Sequence, residues 1–166
     1  MGYAEWYKLD ILNDRSRLAY EKVLSYHSDY FNTLFNSEFK EKSMKEIPIN
    51  DVNSEDFTAL LSLVQDNPIW PNENNAENLL ELADRFLLLP SVKHTLELFI
   101  ISSKIDGPHK LRIAQKYQMD QLENKAIKSF VDFNCFKKLA ELSFYQSLSY
   151  DTKIKLFEKM FSLIKE

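Results

Sequence analysis

Ser25, His27, Ser28 and Asp29 bring the residue types of a hydrolytic triad together in one short run. A triad works when nucleophile, base and orienting acid converge on one atom, and its members usually come from separate elements. Neighbouring side chains on a helix diverge by about 100° per residue, so these four cannot converge. A helix cap and a polar face account for them instead: the Ser28 hydroxyl can accept from the amide of Tyr30 or Phe31. His27, His94 and His109 are far apart and have no Cys, Asp or Glu at ligand spacing, so no metal site is expected and the imidazoles read as exposed or capping. Glu55, Asp56, Glu77, Glu81 and Asp84 fall on the outer faces of predicted helices, where carboxylates are ordinarily just solvated. Cys135 is the single cysteine and sits beside Phe136, which predicts an inert buried thiol, excludes an internal disulfide and fits a reducing compartment. One aromatic stands apart. Phe39, in the run Glu38-Phe39-Lys40-Glu41, is either a core anchor reaching back to Leu34 and Phe35 or an interface anchor facing out.

Composition removes whole classes of function. The two glycines are Gly2 and Gly107, and loops that cradle phosphate need glycine where backbone approaches the ligand. No cofactor and no catalysis are expected. A net charge of −4 argues against nucleic acid, which requires a basic face. The apolar runs at 86–89 and 98–101 are separated by Pro90 and fall well short of the roughly 20 residues that span a bilayer. The first ten residues lack the basic start and apolar middle of a signal peptide. Trp6 stands where an N-myristoylation motif needs Ser or Thr. The apolar fraction of 45% is enough for a core, and the expected location is the cytoplasm or nucleus.

The elements that position these residues follow from periodicity. Residues 9–12 and 17–20 are expected as two short strands around the turn-rich Asn13-Asp14-Arg15-Ser16. Short helices are expected at 22–26 and 29–36, then a strand at 46–50 with Ile47 and Ile49 on one face. Pro48 places that strand at an edge. Phe57, Leu60, Leu61 and Val64 give the i, i+3, i+4, i+7 face of a helix, with Ser54 as its cap. A second helix is expected over 75–88, with Leu79, Leu80, Ala83, Phe86 and Leu87 inward. Pro90 belongs in the first turn of a third, lined by Val92, Leu96, Phe99 and Ile100. Gly107-Pro108 marks a domain edge. Beyond it come amphipathic helices through Leu111, Ala114 and Tyr117, through Leu122, Ala126, Ile127 and Phe130, and at 136–144 and 152–165. Short helices like these are marginal alone and must pack.

Read together, "VLSYHSDYFNTLF", "FKE" and "EIPINDVNSEDFTALLSLV" resemble a BTB/POZ domain, closest in wording to the expanded nematode BTB families. "NLLELADRFLL" resembles the fourth-helix signature of that domain. "LRIAQKYQMDQLENKAI" is similar to the helical pair that follows it in cullin adaptors. Where the family commonly has a Tyr-Thr-Gly turn, this chain has Gln65-Asp66-Asn67, a change at a surface turn. The resemblance implies an α+β, predominantly helical fold: a small three-stranded sheet flanked by helices over residues 1–106, then a helical extension over 107–166. It implies an adaptor that docks on Cullin-3 through Phe39 and Glu41, and a dimer or partner face formed by Val23, Tyr26 and Tyr30. The alternative it implies is a self-associating scaffold module, paired with itself or another BTB protein. Family members that dimerise carry an additional element before the hairpin, and only residues 1–8 are available here. No MATH or Kelch segment is recognisable, so the substrate protein is not identified.

Overall fold

The computed structural model describes the backbone of residues 14–36, 49 and 51–164, and within that range the side chains from residue 21 onward. The described residues are mostly helical. They form two compact units, Met1–Leu96 and Glu97–Glu166, with the division inside one helix.

In the first unit, α1 (Asp14–His27) is one continuous helix. It replaces the strand expected at 17–20, the turn before it and the shorter helix at 22–26. The cause is local. The segment has no Gly or Pro, contributes Arg, Leu, Ala, Glu and Lys, and offers no period-two alternation that a sheet could use. The other expected strand residues, 9–12 and most of 46–50, lie outside the described residues. Ile49 is described and buried, and is not in a strand. The three-stranded sheet is therefore absent from the described residues. Their one β feature is an isolated antiparallel bridge between Ser28 and Leu88.

That bridge organises the unit. Ser28 ends α1 and begins α2 (Asp29–Asn36), and its Oγ accepts from the Phe31 amide at 3.1 Å as a helix cap should. The same Oγ donates to the Phe86 carbonyl at 2.5 Å. Around it the Leu89 amide donates to the His27 carbonyl at 2.9 Å, and the Asp29 amide reaches Leu87 at 3.4 Å. α3 (Ser54–Ser62) is capped by Asn53, not Ser54: Asn53 Oδ1 accepts from the amides of Glu55 and Asp56 at 2.9 and 3.0 Å. α4 (Ala76–Arg85) ends three residues before position 88, because Leu87 takes a left-handed φ of 47°. A helix cannot continue through that conformation. Leu87 accordingly faces solvent, whereas Phe86 and Leu88 are buried. The core centres on Phe31, Phe57 and Phe86. Phe31 stacks on Phe86 at 5.4 Å, and Phe57 tilts against Phe86 at 5.3 Å. Burying each ring contributes about 2–3 kcal/mol.

α5 (Pro90–Ser102) starts on Pro90, where the missing amide costs nothing. In the second unit, α6 (Gly107–Tyr117) and α7 (Asp120–Lys128) form a helical hairpin. α8 (Phe133–Glu141), a 3-10 turn (Ser143–Ser147) and α9 (Tyr150–Ser162) pack with it. Leu111, Ala126, Ile127, Phe130, Leu139, Leu148 and Leu156 make the core, with Cys135 and Phe136 packed at its edge. The last two helices begin earlier than periodicity predicts, since Asp132 and Ser149 cap them at Cys135 and Thr152. Gly107 lets α6 approach α7. A Cβ there would lie 2.5 Å from Ser129 Oγ and 3.2 Å from the Phe130 ring.

Candidate functional interface

Val23, Tyr26 and Tyr30 all face solvent, the first two on α1 and the third on α2, past the break at Ser28. Tyr26 is 76% exposed. Tyr30 is held from behind, edge-on to Phe31 and to Phe86 at 5.2 Å each. Exposed phenols and branched aliphatics are side chains that suit a protein partner, because they bury much area at little entropic cost. Phe39 and Glu41 lie outside the described residues. Of the side chains against which Phe39 was weighed, Leu34 and Phe35 are half-buried, and Phe35 stacks on Phe31 at 5.8 Å.

The residues with chemical potential do not assemble. Ser25, His27 and Asp29 remain on diverging positions, and Ser28 is committed to the Phe86 carbonyl. No group of three His, Cys, Asp or Glu side chains able to hold a metal occurs among the described residues. Two histidines depart from expectation. His27 is half-buried, not exposed, with its Nδ1 shielded and without a hydrogen-bond partner among the described residues. His109 does have a carboxylate: its Nδ1 lies 2.8 Å from Asp106 Oδ2, because Asp106 caps α6 and the cap folds the two together. Burial pushes the Asp106 carboxyl up. Hydrogen bonds from the His109 amide and ring, with the charges of His109 and Lys138, outweigh that and hold it below the usual carboxylate range. The outer carboxylates are engaged modestly: Asp84 pairs with Lys93 at 2.5 Å, and Asp56 accepts from Asn78 at 3.0 Å. Cys135 is half-buried and does not lie sealed in the core.

A cavity of about 580 Å³ opens between the start of α6, the end of α7 and α8. Asp106, Gly107, Phe130, Cys135 and Lys138 line it. Three buried charges, which periodicity hides, tie together elements of the second unit. Lys110 Nζ donates to the carbonyls of Ile101 and Ser103 at 2.9 and 2.8 Å, closing the end of α5. Glu97 accepts from the Leu122 amide at 3.1 Å in the first turn of α7. Glu123 binds Lys155 and Gln115 at 2.6 Å each, and Thr152 at 3.3 Å. All three roles are structural.

The arrangement is that of a helical interaction module. The BTB/POZ domain family matches residues 9–104. This chain belongs to the BTB/POZ family. Its relatives include nematode proteins of the same kind. BTB and MATH domain-containing protein 36 of Caenorhabditis elegans is 31% identical over 147 residues, which is 88% of this chain and 46% of the relative. A second BTB/POZ domain-containing protein of that organism is 32% identical over 143 residues, 85% of this chain and 45% of the relative. Kelch-like protein 23 of Pongo abelii is 30% identical over 83 residues, 50% of this chain and 15% of the relative. The chain spans less than half the length of these relatives. BTB/POZ membership makes it a protein–protein interaction module, and no helix among the described residues is long and apolar enough to cross a membrane.

Proposed function

We infer that this BTB/POZ chain is an adaptor that docks on a Cullin-3 scaffold and brings another protein to a ubiquitin ligase. Family membership carries this reading, supported by the hydrophobic-x-Glu spacing of Phe39, Lys40 and Glu41 after α2. Phe39 is the anchor, a ring of the size whose truncation typically costs about 2 kcal/mol or more at an interface. Glu41 sets orientation by accepting hydrogen bonds. The adaptor domain ends at Gly107-Pro108, and the helices over 110–130 supply further surface for the scaffold. The adaptor performs no chemistry itself and acts in the cytoplasm or nucleus. Its substrate is a protein of unassigned identity. The test is co-purification with the Cullin-3 N-terminal domain. Phe39→Ala with Glu41→Ala abolishes it while the helical circular dichroism stays unchanged; binding that survives this double change removes the mechanism.

A second reading is favoured by the exposed Val23–Tyr26–Tyr30 strip: self-association, or pairing with another BTB protein, without a ligase role. Tyr26→Arg, with light scattering and the same cullin pull-down, separates the two. Loss of assembly in a chain that never binds the cullin selects the scaffold.

A further inference from the structure

α9 is apolar on two opposite faces. Thr152 and Leu156 point into the second unit and are buried. About half a turn away lie Tyr150, Ile154, Phe157 and Phe161, with Ile164 just past the helix end, all between 40% and 78% exposed. A helix on a domain surface normally shows one apolar stripe and one polar face. The outward positions recur at intervals of four, three, four and three, which is the a/d repeat of a coiled-coil seam. Phe157 and Phe161 already lean together, ring centroids 4.6 Å apart, as one continuous ridge.

Flanking charges identify what covers the ridge. With Ile154 and Phe161 at a, Lys153 falls at g, and Asp151 and Glu158 fall at e. In a parallel in-register pair, g of one helix meets the following e of its partner, so Lys153 faces Glu158 of the second copy, twice by symmetry. In an antiparallel pair e meets e. The two alignments that match a with d bring Glu158 against Asp151 or against another Glu158, acid on acid. Lys153 Nζ rests on the Gln146 carbonyl at 3.0 Å and lies 5.7 Å over the Tyr145 ring, which holds its charge beside the ridge. The geometry points to a second copy of this chain as the occupant: α9 pairs with α9 in parallel, through the Tyr150–Ile154–Phe157–Phe161 ridge, with Lys153–Glu158 contacts setting direction. The inference does not depend on cullin docking.

The 166-residue chain is the material, read by concentration-dependent light scattering and sedimentation equilibrium. Self-association is expected, weakened about tenfold by Glu158→Lys or by Lys153→Glu, because each turns two attractions into repulsions. The double exchange Lys153→Glu with Glu158→Lys restores it, a rescue that a general loss of folding does not permit. Ile154→Cys in a Cys135→Ser background forms an oxidised dimer, since only the parallel register places position 154 opposite itself. Tyr26→Arg leaves that crosslink intact. A single-chain mass at every concentration overturns the proposal. So does association that survives Phe157→Ser with Phe161→Ser, or that ignores both charge reversals.

Discussion

Ser28 ties together two stretches of backbone 58 residues apart, donating to the Phe86 carbonyl at 2.5 Å while accepting from the Phe31 amide at 3.1 Å. One hydroxyl thus fixes where α1 stops, how α2 starts and where the chain after α4 must lie. Ser28 is 1% exposed, so water cannot replace either bond when the oxygen is removed.

Ser28→Ala is expected to destabilise the chain by about 2–3 kcal/mol, the sum of a lost cap and a buried carbonyl left unpaired. Urea denaturation checks this. A loss under about 0.5 kcal/mol, the range of ordinary surface changes, contradicts the role.

Gly107→Ala introduces a methyl 2.5 Å from Ser129 Oγ, which is itself committed to the Ala126 carbonyl at 2.6 Å. Displacing Ser129 breaks that bond, and the Phe130 ring must also give. A loss of about 1–2 kcal/mol is expected despite alanine's better helix propensity. In a Ser129→Ala background the same change costs less, and equal costs in both backgrounds rule out the clash.

Glu123→Gln keeps the shape of the network but removes the charge that Lys155 meets at 2.6 Å. Hydrogen bonding to Glu123, opposed by desolvation and aided by the charges of Glu123, Asp120 and Asp151, raises the Lys155 pKa. A raised lysine contributes stability below about pH 10.5, lost as pH climbs through the folded value. Thermal melts of the wild type should therefore fall on that alkaline side, and the Glu123→Gln variant should show a flatter decline. Parallel curves would rule the linkage out.

Asp106 works in the opposite direction. Its carboxyl is held low, so its contribution is complete above the unfolded value near 4 and disappears as pH drops through the folded one. Asp132 is also lowered, first by the Cys135 amide, and titrates in the same window. Asp106→Asn is expected to lose part of the acid slope of the melting temperature below about pH 4 and to leave the neutral-to-alkaline slope unchanged. An unaltered acid slope would mean that the cap and the His109 contact contribute nothing.

Much of the helical framework was legible in the residues. The faces of α3 to α7 obey the spacings of Phe57–Leu60–Leu61, Leu79–Leu80–Ala83 and Leu122–Ala126–Ile127, and Pro90 marks a helix start. The Ser28 cap was legible too, because one hydroxyl and one amide three residues apart decide it. Ser54 was expected to cap α3, but Asn53, as good a cap by residue type, takes the place one residue earlier. α1 was mistaken over 17–20 because a few residues with poor alternation carry no reliable period. Glu97, Lys110 and Glu123 carried no signal of burial, since their partners are carbonyls, amides and side chains that only the tertiary structure brings near. On the candidate interface, Val23, Tyr26 and Tyr30 followed from the family resemblance, since they fall on two helices. Periodicity alone did not show the ridge of α9, where buried and exposed apolar positions alternate around a single helix.

The bond from Ser28 to Phe86 also sets a schedule for biosynthesis. Ribosomes add about 5–20 residues per second, so Ser28 is made some 3–12 s before its carbonyl acceptor, 58 residues on. Through the whole of that interval the Phe31 ring lacks Phe86, and through its first half Phe57 as well, so an aromatic surface stands open to solvent. Nascent chains stalled before residue 86 should therefore recruit holdase chaperones that chains stalled beyond α5 release.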